Sequence, residues 1–148
     1  MNDIEFRSPL NSKEFKEYDL FRWKILRKPI GKGIDSLNTL KDQYEESSFH
    51  LIGFKDEIII GCGRLHFNNK DEAQIRYMAV EERYQGKGIG KKILELLEKN
   101  AKKNNAKKII LNARDHVLSF YKSSDYIAIG KYDGSDTGIT HTRMVKKI

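Results

Sequence analysis

Apolar residues recur in two rhythms along this chain, a two-residue alternation and a three-to-four-residue stripe, and the two divide it into elements. Residues 4–7 fit a short first strand. A helix follows through about Leu26, with Phe15, Leu20, Trp23 and Ile25 among its apolar residues. Asn11 or Ser12 caps it, and Pro29, Gly31 and Gly33 end it. A loosely patterned region then predicts a short helix around 37–44. Runs at 49–54 and 58–67, joined by the charged turn Lys55-Asp56-Glu57, read as a hairpin, and 74–80 as the next strand after a turn at 68–71. A glycine-rich loop at 85–90 opens a helix whose Ile93, Leu94, Leu97 and Ala101 form one buried stripe, ended by Asn104 and Asn105. Residues 108–113 read as a strand and 116–122 as a short helix. Two last strands, 126–132 and 139–145, are split by 133–138. The order predicts an α/β chain, a mixed sheet with helices packed on it, forming a single domain over 1–148.

Composition changes this picture in three respects. Lys plus Arg is 28 against 21 Asp plus Glu, a net charge of +7, which points to anionic partners. Part of the excess lies between Lys87 and Lys108, where lysines alternate with Glu95 and Glu98 as on a solvated helix face; the tail Lys146-Lys147 reads the same way. The lone Cys62 excludes an intramolecular disulfide and reads as a small buried apolar residue in a reducing compartment. No apolar run is long enough to cross a bilayer and no signal peptide is visible, so the expected location is the cytoplasm, with no membrane partner. The histidines and Cys62 show no zinc-ligand spacing, so no metal is expected. Neither a helix-turn-helix signature nor an aromatic RNA-binding platform is present, so no nucleic-acid partner is expected.

The strongest local signal is Gln85-Gly86-Lys87-Gly88-Ile89-Gly90 between a strand and a helix. Glycines bring backbone amides close to a ligand, and the helix start adds free N–H groups and a partial positive charge, which together suit a pyrophosphate. The loop lacks the Lys-Ser/Thr of a P-loop and lies outside a first βαβ unit, which argues against nucleotide folds of those types.

With Met78-Ala79-Val80 before that loop, Asn112 on a following strand and Phe120-Tyr121 in a short helix, the chain resembles the GCN5-related N-acetyltransferase (GNAT) superfamily over residues 4–148. The resemblance implies a twisted, mostly antiparallel sheet of six to seven strands with about four helices and splayed central strands. It also implies acetyl-CoA as co-substrate, held by Gln85, Gly86, Lys87, Gly88, Ile89, Gly90 and Lys91, with Met78, Ala79 and Val80 along the pantetheine arm, Asn112 assisting and Tyr121 near the thioester sulfur. Tyr121 is then a general acid, or else a packed aromatic. Where relatives have Gly-Phe after the tyrosine helix this chain has Asp125-Tyr126, and aspartate tolerates the left-handed turn.

A closer likeness is to glyphosate N-acetyltransferase-like bacterial proteins, carried by Ile25-Leu26-Arg27, Phe49-His50-Leu51, Arg76-Tyr77-Met78-Ala79, Asn112-Ala113-Arg114 and His141. It implies that Arg27, Arg76 and Arg114 bind a small acidic amine and that His141 is the base, acting in a monomer or homodimer. Gln74 stands where many relatives place a glutamate base and cannot accept a proton, which shifts that role towards His141. His66 or an ordered water chain is next in line. His50 and His66 read as structural or pocket-lining and His116 as a surface residue, while Arg27 could simply favour its helix dipole. Open alternatives are a protein or peptide acceptor, or a non-catalytic acyl-CoA-sensing or nucleic-acid-binding module.

Overall fold

The computed structural model describes residues 3–135 and 137–148. Among them seven strands form one sheet in the order β1-β2-β3-β4-β5-β7-β6. They are β1 (Ile4–Arg7), β2 (Phe49–Lys55), β3 (Ile58–Phe67), β4 (Glu72–Val80), β5 (Lys108–Ala113), β6 (Ile127–Tyr132) and β7 (His141–Lys147). The helices are α1 (Ser12–Leu26), α2 (Ile89–Lys103) and α3 (Leu118–Lys122), with 3-10 segments of three to seven residues between elements. Neighbouring strands run antiparallel except β4 and β5, which are parallel. A parallel pair needs a crossover, and α2 supplies it.

Each helix covers one face of the sheet. On one face α2 buries Ile89, Ile93, Leu94, Leu97 and Ala101 against Leu65, Ala73, Ile75, Ile109 and Leu111. Two glycines let it approach: a Cβ on Gly61 would lie 2.9 Å from Ile93, and one on Gly63 2.8 Å from Leu97. On the other face α1 packs Tyr18 and Phe21 on Ile52, Phe54, Ile59, Cys62 and Ala79. Asn11 is its N-cap, its side chain accepting from the Glu14 amide. Phe15 and Leu20 stay exposed, and the buried stripe of α1 includes a charge, Arg22.

A bulge in β4 decides where the site lies. Cys62 pairs with Ala79 but Arg64 with Arg76, so Gly63 alone is matched by Tyr77 and Met78. One extra residue reverses the side-chain parity of the strand. Ala73 and Ile75 therefore face α2, while beyond the bulge Met78 and Val80 take over that face and Ala79 turns to the α1 side. Pairing of β4 with β5 ends at Ile75 and Leu111, so the two strands splay beyond that point.

Two expected elements differ. The helix at 37–44 is instead a 3-10 segment, Ile34–Leu40. The Ser36 and Thr39 hydroxyls donate to the Gly33 and Ser36 carbonyls, competing with regular helix bonding, and the residues after Leu40 form turns. The last strand starts at His141, not 139, and runs on through Lys147. Ile139 is held in a turn by the Thr137 hydroxyl, and Lys146 pairs with Glu98 of α2 at 3.1 Å instead of forming part of a solvated tail. Asp125 does take the left-handed conformation, at φ 73°. Among the described residues no helix is long and apolar enough to cross a membrane.

Candidate active site

The splay of β4 from β5 opens a cavity of about 210 Å³ whose walls come from five parts of the chain. These are the C-terminus of α1 (Leu26, Arg27), the end of β4 (76–80), the end of β5 (Asn112, Arg114), the stretch with His116, Val117 and Tyr121, and a last group of Tyr132, Ser135, Thr137 and His141. Arg27, Arg76, Arg114 and His141, which lie far apart in sequence, thus meet in one place.

The helix end draws two of the cations together. Leu26 is the last residue of α1, and its carbonyl accepts from Arg114 Nη2 at 3.0 Å and, more weakly, from Arg27 Nη1 at 3.4 Å. Guanidinium groups at a helix C-terminus suit its partial negative charge. Arg76 belongs to a different set. Its Nη1 donates to Asp42 Oδ2 at 2.8 Å, and Asp42 also receives both Nη atoms of Arg64 at 2.9 Å. Arg64 and Arg76 are cross-strand partners, and like charges so placed repel unless an anion lies between them. Burial would push the Asp42 carboxyl up, but the hydrogen bonds and charge of Arg64, the Tyr44 amide and the charge of Arg76 together hold it below the usual carboxylate range. The network continues through Glu45 to Arg22 and Asp19. Arg22 and Arg64 are fully buried, and among the described residues the Nε atom of each has no partner.

Tyr77, to which the sequence reading gives no role, has four of these cations within about 6 Å of its ring centre. Its ring centre is 4.7 Å from the Arg76 guanidinium carbon, 4.8 Å from that of Arg64, 5.8 Å from Arg27 and 5.9 Å from Arg22. It adopts φ 58°, which costs an ordinary residue roughly 1–3 kcal/mol. Cation–π contacts of about 0.5–2 kcal/mol each are enough to offset that.

His141 has a defined tautomer. A carbonyl oxygen only accepts, so the 2.7 Å contact to the Ile139 oxygen places the neutral-ring proton on Nδ1 and leaves Nε2 with a lone pair. Burial lowers its pKa, the Ile139 hydrogen bond opposes this, and the charges of Arg114, Arg76 and Arg27 lower it further. The other histidines are differently employed. His50 lies between the Tyr18 hydroxyl and the Glu45 carbonyl, and His66 stacks on Tyr44 at 3.9 Å and contacts Asn68. Gln74 Oε1 accepts from Asn68. Exposed His116 borders the cavity rim. Burial pushes the Cys62 thiol up to about 12, as expected of an inert core residue.

A second hollow of about 500 Å³ adjoins the first and shares Met78, Ala79, Val80, Gln85 and Tyr121 with it. Gly86, Gly88, Gly90 and Lys91 line it on the loop side, and His116, Val117 and Phe120 are among the residues opposite. Gly86 and Gly88 have φ of 74° and 85°, and Gly88 caps α2 without any side-chain acceptor for the first helix amides. Those amides are free to bind an anion. Gln85 Nε2 ties the loop to β4 by donating to the Val80 carbonyl at 3.0 Å. Burial raises the Tyr121 pKa, so the phenol stays protonated. Two expected ligands stand apart from both hollows: the Ile89 side chain is buried in the core, and Lys87 is exposed over the Tyr84 ring. Asn112 lines only the first cavity, its Oδ1 accepting from Arg143.

The family model described as acetyltransferase (GNAT) domain matches residues 27–148. The chain belongs to the GNAT acetyltransferase family. It is an acyltransferase, and as a GNAT protein it takes acetyl-CoA as co-substrate. It is 30% identical over 105 residues to the uncharacterized N-acetyltransferase YjcF of Bacillus subtilis, covering 71% of this chain and 74% of that one. Similar solved structures include ElaA of Escherichia coli (TM-score 0.78, 17% identity, 97% of this chain and 99% of that one). An aminoglycoside 6'-N-acetyltransferase complexed with coenzyme A is also similar (TM-score 0.77, 14% identity, 97% and 96% covered). These likenesses match the fold of the GNAT chain.

The glycine loop gives a direct test of cofactor binding. Valine at position 88 would be forced to φ 85°, disfavoured for a β-branched residue, and would add bulk beside the helix amides. Gly88→Val is expected to weaken acetyl-CoA binding at least about tenfold, roughly 1.4 kcal/mol, while the fold persists. Calorimetry with the folded variant measures this, and unchanged affinity would refute it.

Proposed function

We propose that this GNAT protein acetylates the amine of a small acidic molecule, of amino-acid or aminophosphonate type. The observation that carries the reading is the shared cavity of Arg27, Arg76, Arg114 and His141, open to the glycine-loop groove along β4 and Tyr121. Guanidinium forks suit a carboxylate or phosphonate, whereas a polycation would meet like charge. The cavity volume of about 210 Å³ fits a compact acceptor better than a peptide. The same residues carry the likeness to the glyphosate N-acetyltransferase-like proteins.

Acetyl-CoA supplies the acetyl thioester. The arginines hold the acceptor's anion and leave its amine towards His141. Nε2 of His141 takes the amine proton as the new N–C bond forms, and backbone amides at the end of β4 polarise the acetyl carbonyl. Tyr121 donates its hydroxyl proton to the sulfur as the C–S bond breaks. Cys62 has no part, being fully buried.

Thiol release from acetyl-CoA, followed against amino acids, aminophosphonates, polyamines and peptides, tests the proposal. Acidic amines are expected to give the highest kcat/KM. Faster acetylation of spermidine than of any acidic amine would overturn the acidic-acceptor reading without touching the acyltransferase assignment.

A further inference from the structure

Tyr77 occupies a strained position beside the acceptor cavity without any part in the chemistry. It belongs to the β4 bulge opposite Gly63, and its φ of 58° is one that glycine adopts freely and an aromatic residue rarely does. Such strain persists where the surroundings over-determine the conformation, and it clusters at functional sites. The half-buried side chain lines the cavity. On the cavity side its ring lies 4.7 Å from Arg76 and 5.8 Å from Arg27; it also lies 4.8 Å from Arg64 and 5.9 Å from Arg22, both fully buried. The ring therefore touches both cations that line the cavity and cations that are fully buried, and Arg76 and Arg64 share Asp42.

We infer that Tyr77 determines acceptor specificity: its ring is the inner wall of the acceptor pocket and sets the length of amine the pocket takes. The inference rests on the cavity of Arg27, Arg76 and Arg114 being the acceptor site. A ring face attracts guanidinium groups, so the wall also holds Arg27 and Arg76 in place beside it. Without the ring, the cavity deepens towards Arg64 and Asp42, and a longer acceptor fits.

The test compares wild type with Tyr77→Gly, Tyr77→Asn and Tyr77→Phe. Glycine relieves the backbone strain, and asparagine tolerates the left-handed conformation, so neither variant endangers the fold through its backbone. Circular dichroism checks that each is folded. Thiol release is measured with aminomethylphosphonate and its aminopropyl homologue, and with the neutral amines ethanolamine and aminohexanol. Removing the ring is expected to raise the long-to-short ratio of kcat/KM at least about tenfold, while Tyr77→Phe keeps the wild-type ratio. An unchanged ratio in both Tyr77→Gly and Tyr77→Asn overturns the inference, as does an equal shift in Tyr77→Phe. A wild-type preference for the neutral pair defeats the acidic-acceptor reading instead, and the length ratio within that pair still tests Tyr77.

Discussion

Replacing His141 with alanine is expected to lower kcat by roughly 10²–10⁴, the usual size of a general-base contribution. The direction of its pKa fixes the pH dependence. Burial and the charges of Arg114, Arg76 and Arg27 depress it, so the ring is neutral, and able to accept a proton, down to a pH below the ordinary imidazole range. Wild-type kcat/KM should rise with pH through that depressed value and level off above it. The variant should lose this acidic limb. Near-native turnover with the limb intact would move the base elsewhere. His66 is a poor successor: it lies outside the cavity, stacked on Tyr44, with its pKa lowered to about 4 by burial and by Arg64.

Arg114→Ala should act on the acceptor and leave the cofactor alone. Arg114 lines the proposed acceptor cavity but not the glycine-loop groove. Losing a charge-assisted contact of about 1.5–3 kcal/mol raises KM for an acidic amine on the order of 10- to 150-fold. Acetyl-CoA affinity should change little. Initial rates over both substrates, with calorimetry for acetyl-CoA, make the comparison. Unchanged KM for the best acidic amine would sink the proposed role.

The strands, α2 and the glycine loop were legible because each is governed by a local rule. Short apolar runs bounded by turn signals placed 58–67 and 108–113 at their observed bounds, and the stripe of Ile93, Leu94, Leu97 and Ala101 belongs to the buried face of α2. The segment from 34 to 47 resisted because no periodicity governs it. Its hydroxyls bond to nearby carbonyls, and Asp42 and Glu45 are fixed by arginines from α1, β3 and β4, remote in sequence. The bulge did leave a trace: apolar Ala73 and Ile75 are followed by Met78 and Val80, a slip of one residue in the alternation. That slip marks Tyr77, whose contacts arise only when distant arginines gather round it. For the site, motif resemblance brought forward the residues that meet in the cavity, while the lining residues Tyr132, Ser135 and Thr137 belong to a segment without any such phrase.

The two hollows draw their walls from the chain in unequal ways. The groove is built from two compact stretches, 78–91 and 116–124, whereas the cavity proposed for the acceptor also borrows from α1, the end of β5, and Tyr132, Ser135, Thr137 and His141. Substitutions at positions such as 27, 114 or 135 can therefore alter what is modified while leaving the donor's seat untouched. On the proposed assignment, a handful of changes outside both stretches would be enough for a duplicated copy of the gene to take a new amine.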